Sequence, residues 1–286
     1  MNSIEVKNIT KYYGNTKALD DVSITIEPNK IYGLLGRNGA GKTTLLNLLT
    51  NKIFPNKGNI TLDGESIFEN DKALNNIFYM MEKNLFPETM KVKEVFKWTK
   101  EFYTSFDDDY AKSLSGKFGL NINKKVKGLS TGYTSIFKAI LALASNANVL
   151  LLDEPVLGLD ANHRDLLYKE LLTSYNERPK TIIISTHLIE EVSEVLEEAI
   201  IIKAGKILAK KSVEELLESA YTVSGEASNV DSYISGKEYI GEETMGRFKS
   251  VTVLENSSKQ NKELARKLDL EFSNVELQKL FINLTN

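Results

Sequence analysis

Near the start of the chain apolar and polar residues alternate, through Ile4, Val6 and Ile9 and again through Val22, Ile24 and Ile26. A period of two predicts antiparallel strands with one buried face. Three later runs, 31–35, 149–152 and 181–184, are apolar almost throughout, the pattern of strands in a parallel sheet covered on both sides. Between 83 and 127 the period lengthens, with Val92, Val95, Phe96, Phe102 and Tyr103 at helical spacing. This stretch reads as a helical insertion, about 83–145, into an α/β core. Ala204-Gly205 reads as a hairpin turn between 200–202 and 207–208, and the larger domain, 1–218, closes soon after. From 219 to 286, short alternating strands, several glycines and two helical patterns near 262–268 and 275–284 predict a small α+β domain.

The chain's 286 residues allow one large core and a small appendage. A net charge of −3 argues against nucleic acid as the main partner, because a phosphate backbone demands basic patches. With no cysteine, neither a disulfide framework nor a thiolate zinc site can form. No apolar run of about 18 residues is present to span a bilayer, and Met1 opens no signal peptide. The expectation is an intracellular, soluble protein that serves a membrane only by docking to another chain.

The chemistry enters at Gly36-Arg37-Asn38-Gly39-Ala40-Gly41-Lys42-Thr43-Thr44, which fits G-x-x-x-x-G-K-[ST]. A buried strand precedes it, and Leu45, Leu46, Leu48 and Leu49 after it give a helical face. Strand, glycine-rich loop and helix together aim main-chain N–H groups and a helix N-terminus at one anion. Lys42 would reach the β- and γ-phosphates and the Thr43 hydroxyl would ligate Mg²⁺. The chain is therefore expected to bind a nucleoside triphosphate. A second apolar strand ends in Asp153-Glu154-Pro155, which places two carboxylates at the C-terminal edge of the sheet, where ligands bind in open α/β folds. Asp153 would hold Mg²⁺, and Glu154 would orient or deprotonate the attacking water.

With these motifs the chain resembles the ATP-binding cassette ATPases, the motor subunits of ABC transporters, over roughly residues 2–215. Leu129-Ser130-Thr131-Gly132-Tyr133 is similar to that family's signature, usually LSGGQ, and Gly158-Leu159-Asp160 to its D-loop. His187 matches the switch histidine. Tyr13 is placed like the aromatic that stacks on adenine, with Tyr12 as the alternative, and Glu82 takes the place of the Q-loop glutamine, where its carboxylate would face the metal through a Mg²⁺-bound water. The resemblance implies a RecA-like P-loop core with an antiparallel β subdomain and a helical subdomain, and it implies ATP and Mg²⁺ as ligands. It implies that Ser130 and Gly132 contact the nucleotide of a second cassette, in a homodimer or a heterodimer, paired head to tail, with Asp160 also among the nucleotide-binding residues. Thr131 and Tyr133 depart from the signature, and Thr131 brings a Cβ where close backbone approach is usual.

The resemblance further implies a separate transmembrane permease subunit and a place on the inner face of the cell membrane. A single cassette, a short helical region and the tail are similar to exporters of the ABC-2-like type. The run 129–144 is similar to bacterial cassettes of the Ytr and phenol-soluble-modulin exporter kind, which makes an amphipathic or antimicrobial peptide the first expectation for cargo. The groove between core and helical subdomain is where the resemblance places a coupling helix. Phe86, Met90 and Trp98 are there either as apolar contacts for it or as ordinary core. Other classes fit less well: translation factors of this family usually carry two cassettes, chromosome ATPases need a long coiled coil, and a non-hydrolysing regulatory cassette would not need Glu154 and His187.

Overall fold

The alternation at the start of the chain is realised as β1 (Ile4–Tyr13) and β2 (Thr16–Ile26), paired antiparallel with Ile4 opposite Ile26 and Val6 opposite Ile24. All six of the alternating apolar residues are buried. In this computed structural model residues 3–285 are described, and chain contacts divide them into two units, 1–187 with 202–208 and 188–201 with 209–286.

In the first unit β3 (Ile31–Leu35) leads into α1 (Lys42–Leu49). β4 (Lys57–Leu62) and the short β5 (Glu65–Ser66) complete an antiparallel sheet in the order β2-β1-β4-β5. After α2 (Asp71–Leu74) comes β6 (Ile77–Met80), a four-residue strand that the apolar pattern did not single out because so short a run suits helix and strand alike. The helical insertion holds α3 (Val92–Phe102), α4 (Asp108–Lys117) and α5 (Thr131–Ala144). β7 (Val149–Asp153), α6 (Ala161–Glu177) and β8 (Thr181–Thr186) follow. β3, β8, β7 and β6 lie side by side in that order, all parallel. Every residue of β3, β7 and β8 is buried, as expected of strands covered on both faces. Their C-terminal ends, at Leu35, Asp153 and Thr186, therefore collect at one edge.

The helical insertion is built on an aromatic cluster. The Phe137 ring lies 5.2 Å from Phe86 and 6.3 Å from Phe96. Asp107 caps α4 by accepting from the Tyr110 N–H at 2.8 Å, and Ser130 caps α5 by accepting from the Tyr133 N–H at 3.3 Å. Phe102 is helical, as its spacing predicts, but 70% exposed, because α3 ends there with its last aromatic turned away from the core.

The remaining elements are α7 (Ile189–Val192), β9 (Glu198–Lys203) and β10 (Lys206–Ser212), with Ala204 and Gly205 both at positive φ in the expected turn. α8 (Val213–Glu218), β11 (Tyr221–Glu226), α9 (Ala227–Ile234), β12 (Tyr239–Met245), β13 (Phe248–Val253), α10 (Lys259–Lys267), β14 (Glu271–Asn274) and α11 (Leu277–Thr285) complete the second unit. Its sheet runs β12-β13-β11-β14 with antiparallel pairs, over a core of Tyr221, Val223, Val230, Tyr233, Val251 and Val253. The Glu255 carboxylate accepts from the Tyr221 hydroxyl and the Lys237 ammonium. Both helices expected in the tail are present as α10 and α11. α9 has no counterpart in the sequence reading, since its Ser, Asn and Asp are weak helix formers and only Val230, Tyr233 and Ile234 mark a face. Among the described residues no helix is long and apolar enough to cross a membrane.

Candidate nucleotide site

The sheet edge carries the site. At the end of β3 the chain enters the glycine loop, and two of its glycines are demanded by their surroundings. A Cβ on Gly36 would stand 2.7 Å from the Ile202 side chain, and one on Gly41 would stand 2.8 Å from the Ala18 carbonyl. Gly41 also has a φ of 113°, which side chains rarely adopt. The loop is braced from outside: Gly205 N–H donates to the Ala40 carbonyl, and Asp20 N–H donates to the Gly205 carbonyl, each at 2.9 Å. Gly205, read from sequence only as a turn residue, thus helps fix the loop.

Ala18, residues 37–44, Glu82, Asp153 and Glu154 line one cavity of about 290 Å³. Lys42 is buried there and its Nζ donates to the Gly36 carbonyl at 2.6 Å. Burial pushes the Lys42 ammonium below its ordinary range, against the opposing pull of Glu154, Asp153 and Glu82. A desolvated cation whose only bonds are to carbonyls, at a helix N-terminus, is poised for an anion of higher charge.

Asp153 ends β7 with its carboxylate held from two sides. Thr43 Oγ1 donates to Asp153 Oδ2 at 3.1 Å, and the Tyr79 hydroxyl donates to the same oxygen at 3.2 Å. Tyr79 stays a donor because burial, and then Asp153 itself, push its phenol far up. The sequence reading missed Tyr79 because it missed β6. Next in the chain, Glu154 takes a left-handed φ of 49° and donates its N–H to the Ser185 carbonyl at 2.8 Å. Non-glycine residues hold that conformation only where neighbours enforce it, commonly at functional sites. His187 Nδ1 lies 2.8 Å from Glu154 Oε1, and Thr186 Oγ1 donates to Glu154 Oε2 at 3.1 Å. An ionised carboxylate only accepts, so Nδ1 of His187 carries the proton in this contact.

The residues present fit a nucleotide with its metal. A buried lysine, a glycine loop and a helix start converge where phosphates would lie, and the Thr43 hydroxyl and Asp153 carboxylate are the hard oxygen donors that Mg²⁺ takes. Asn38, Gly39, Ala40 and Thr44 of the loop line the same cavity, as does Glu82 from beyond β6, while Gly36 begins the loop without lining it. Tyr13, Ser130, Gly132 and Asp160 do not line that cavity. Tyr13 is 49% exposed, with the Lys11 ammonium 5.4 Å from its ring centre. Tyr12 is also exposed. Ser130 is exposed at the start of α5. Gly132 is a glycine for a local reason: a Cβ there would collide with the Gly158 carbonyl. The Thr131 side chain lies beside Gly158, so the departure from the signature is accommodated without displacing Gly132. Asp160 caps α6, and bonds from the His163 N–H and ring hold its carboxyl below the usual range.

Known proteins resemble this chain in sequence and in fold. The pattern of the ABC transporter family matches residues 19–157. The ABC transporter ATP-binding protein YtrB of Bacillus subtilis is 35% identical over 192 residues, which are 67% of this chain and 66% of YtrB. The ABC transporter ATP-binding protein MJ1023 of Methanocaldococcus jannaschii is 33% identical over 218 residues, 74% of this chain and 79% of that protein. Among solved structures, the dimeric ABC transporter cassette MJ0796 superposes with a TM-score of 0.66 at 23% identity, over 73% of this chain and 98% of that one. The chain therefore belongs to the ABC transporter family, as one of its ATP-binding cassettes, the ATPase subunit of a transporter.

Proposed function

We propose that this cassette hydrolyses MgATP in a head-to-tail pair and thereby drives a separate membrane permease. The observation that carries the reading is the pair of bonds Thr43–Asp153 and Glu154–His187, made by two adjacent carboxylates that line one cavity. Thr43 and Asp153 would hold Mg²⁺, which would supply neutralisation of the phosphate charge there. Glu154 orients and deprotonates the attacking water, and His187 fixes the Glu154 carboxylate in place. Lys42 holds the phosphates. Ser130, Gly132 and Asp160 lie off this cavity, which supports their use on the nucleotide of a second cassette, and Tyr13 offers an exposed ring to the adenine. Such pairing makes ATP bind the closed state more tightly than the open one, and that differential affinity is what moves a permease.

Phe86, Met90, Trp98, Phe102 and Tyr103 line a second, strongly apolar cavity of about 540 Å³, in which Trp98 is 57% exposed. An open apolar groove of this kind supports docking of a permease helix better than an ordinary core. On this reading the cassette sits at the cytoplasmic face of the membrane and serves export, with amphipathic peptides as cargo. Trp98→Glu is expected to release the cassette from sedimented native membranes while the purified protein still binds ATP. Continued sedimentation at the wild-type level would contradict the docking site.

A further inference from the structure

Lys138 sits in the middle of α5, only 6% exposed, on a helix whose other buried residues are nearly all apolar. A buried ammonium is costly unless its donors are matched and its charge is balanced. Lys138 Nζ donates to the Met81 carbonyl at 2.8 Å and to the Glu82 carbonyl at 2.7 Å. Neither acceptor is a carboxylate; the acids whose field reaches it are Glu82 and Asp153. Both acceptors lie just past the end of β6, where the chain leaves the sheet and enters 83–91, a stretch with no helix or strand. Main-chain carbonyls at that point have no ladder partner, so Lys138 sets the course of the backbone from which the Glu82 side chain projects.

We propose that Lys138 is a positioning residue for the metal side of the nucleotide site, holding Glu82 by its main chain at the cavity it shares with Thr43, Asp153 and Glu154. The inference rests on the reading above that Glu82 faces the metal. It assigns the interior of the signature helix a task at the chain's own site. A group that acts in this way is felt in metal affinity before nucleotide affinity, because it touches no phosphate.

The test uses the full chain carrying Glu154→Gln, loaded with ATP and titrated with Mn²⁺ by electron paramagnetic resonance. Adding Lys138→Met is expected to weaken Mn²⁺ binding by about tenfold or more, the range for loss of an outer-shell partner. Metal-free ATP affinity is expected to stay within about twofold. Lys138→Arg, which keeps charge and donors, should restore most of the Mn²⁺ affinity. If the methionine variant fails to fold, Lys138→Gln carries the test, since one amide N–H can still serve one carbonyl and an intermediate loss is expected. Mn²⁺ affinity unchanged or tightened in the folded Met or Gln variant overturns the proposal. Glu82→Ala in the same background separates the two readings. If it weakens Mn²⁺ binding while the Lys138 variants do not, only the role of Lys138 falls. If it has no effect, Glu82 does not face the metal and both fall.

Discussion

Glu154→Gln is expected to stop ATP turnover while ATP binding survives. The side chain keeps its length, and the residue keeps the left-handed backbone and the N–H bond to the Ser185 carbonyl that aim it at the cavity. On the proposed mechanism, what is lost is the carboxylate that takes a proton from water. Removing a general base of this kind costs about 10²–10⁴-fold in rate. The phosphate loop is untouched, so fluorescent-nucleotide titration should return wild-type affinity while phosphate release falls to that extent. Turnover within a few-fold of wild type would remove Glu154 from the chemistry.

Lys42→Ala is expected to have the larger effect on binding. The Lys42 ammonium is buried and donates to the Gly36 carbonyl in the cradle. Hydrogen bonds from a charged donor contribute about 1.5–3 kcal/mol each, so ATP affinity measured without metal should fall by about 10–100-fold. Loop shape depends on Gly36, Gly41 and the Gly205 brace rather than on Lys42, and thermal unfolding should show the variant folded. Unaltered affinity in a folded Lys42→Ala variant would place the phosphates elsewhere.

What the chain's sequence made legible is what its physics makes local. The phosphate loop is a contiguous strand, loop and helix start, and Asp153 and Glu154 end a contiguous apolar strand, so both could be read without knowing what lies beside them. Their partners arrive from far along the chain. Tyr79, 74 residues before Asp153, comes through a strand too short to announce itself. Thr186 reaches Glu154 from 32 residues away, and Lys138 reaches Glu82 from 56 residues away across the helical insertion. Lys138 in particular is one charged residue among the apolar ones of α5 and drew no reading of its own. Nothing in helical periodicity says that two strand-end carbonyls would meet it. Phe102 was read only as part of a helix, and it is the last residue of α3; that its ring is exposed was not legible from spacing alone. Gly132 was read for its part in a composite site, and a nearer reason stands in the same chain, the Gly158 carbonyl packed against it.

The central claim is that two of these cassettes close on ATP, with Lys42 of one and Ser130 of the other at each nucleotide. The most direct test is the mass in solution, by light scattering, of the Glu154→Gln protein with and without ATP and Mg²⁺. A shift from monomer to dimer on adding ATP is the result this account expects. A protein that binds ATP and yet remains a monomer would contradict it.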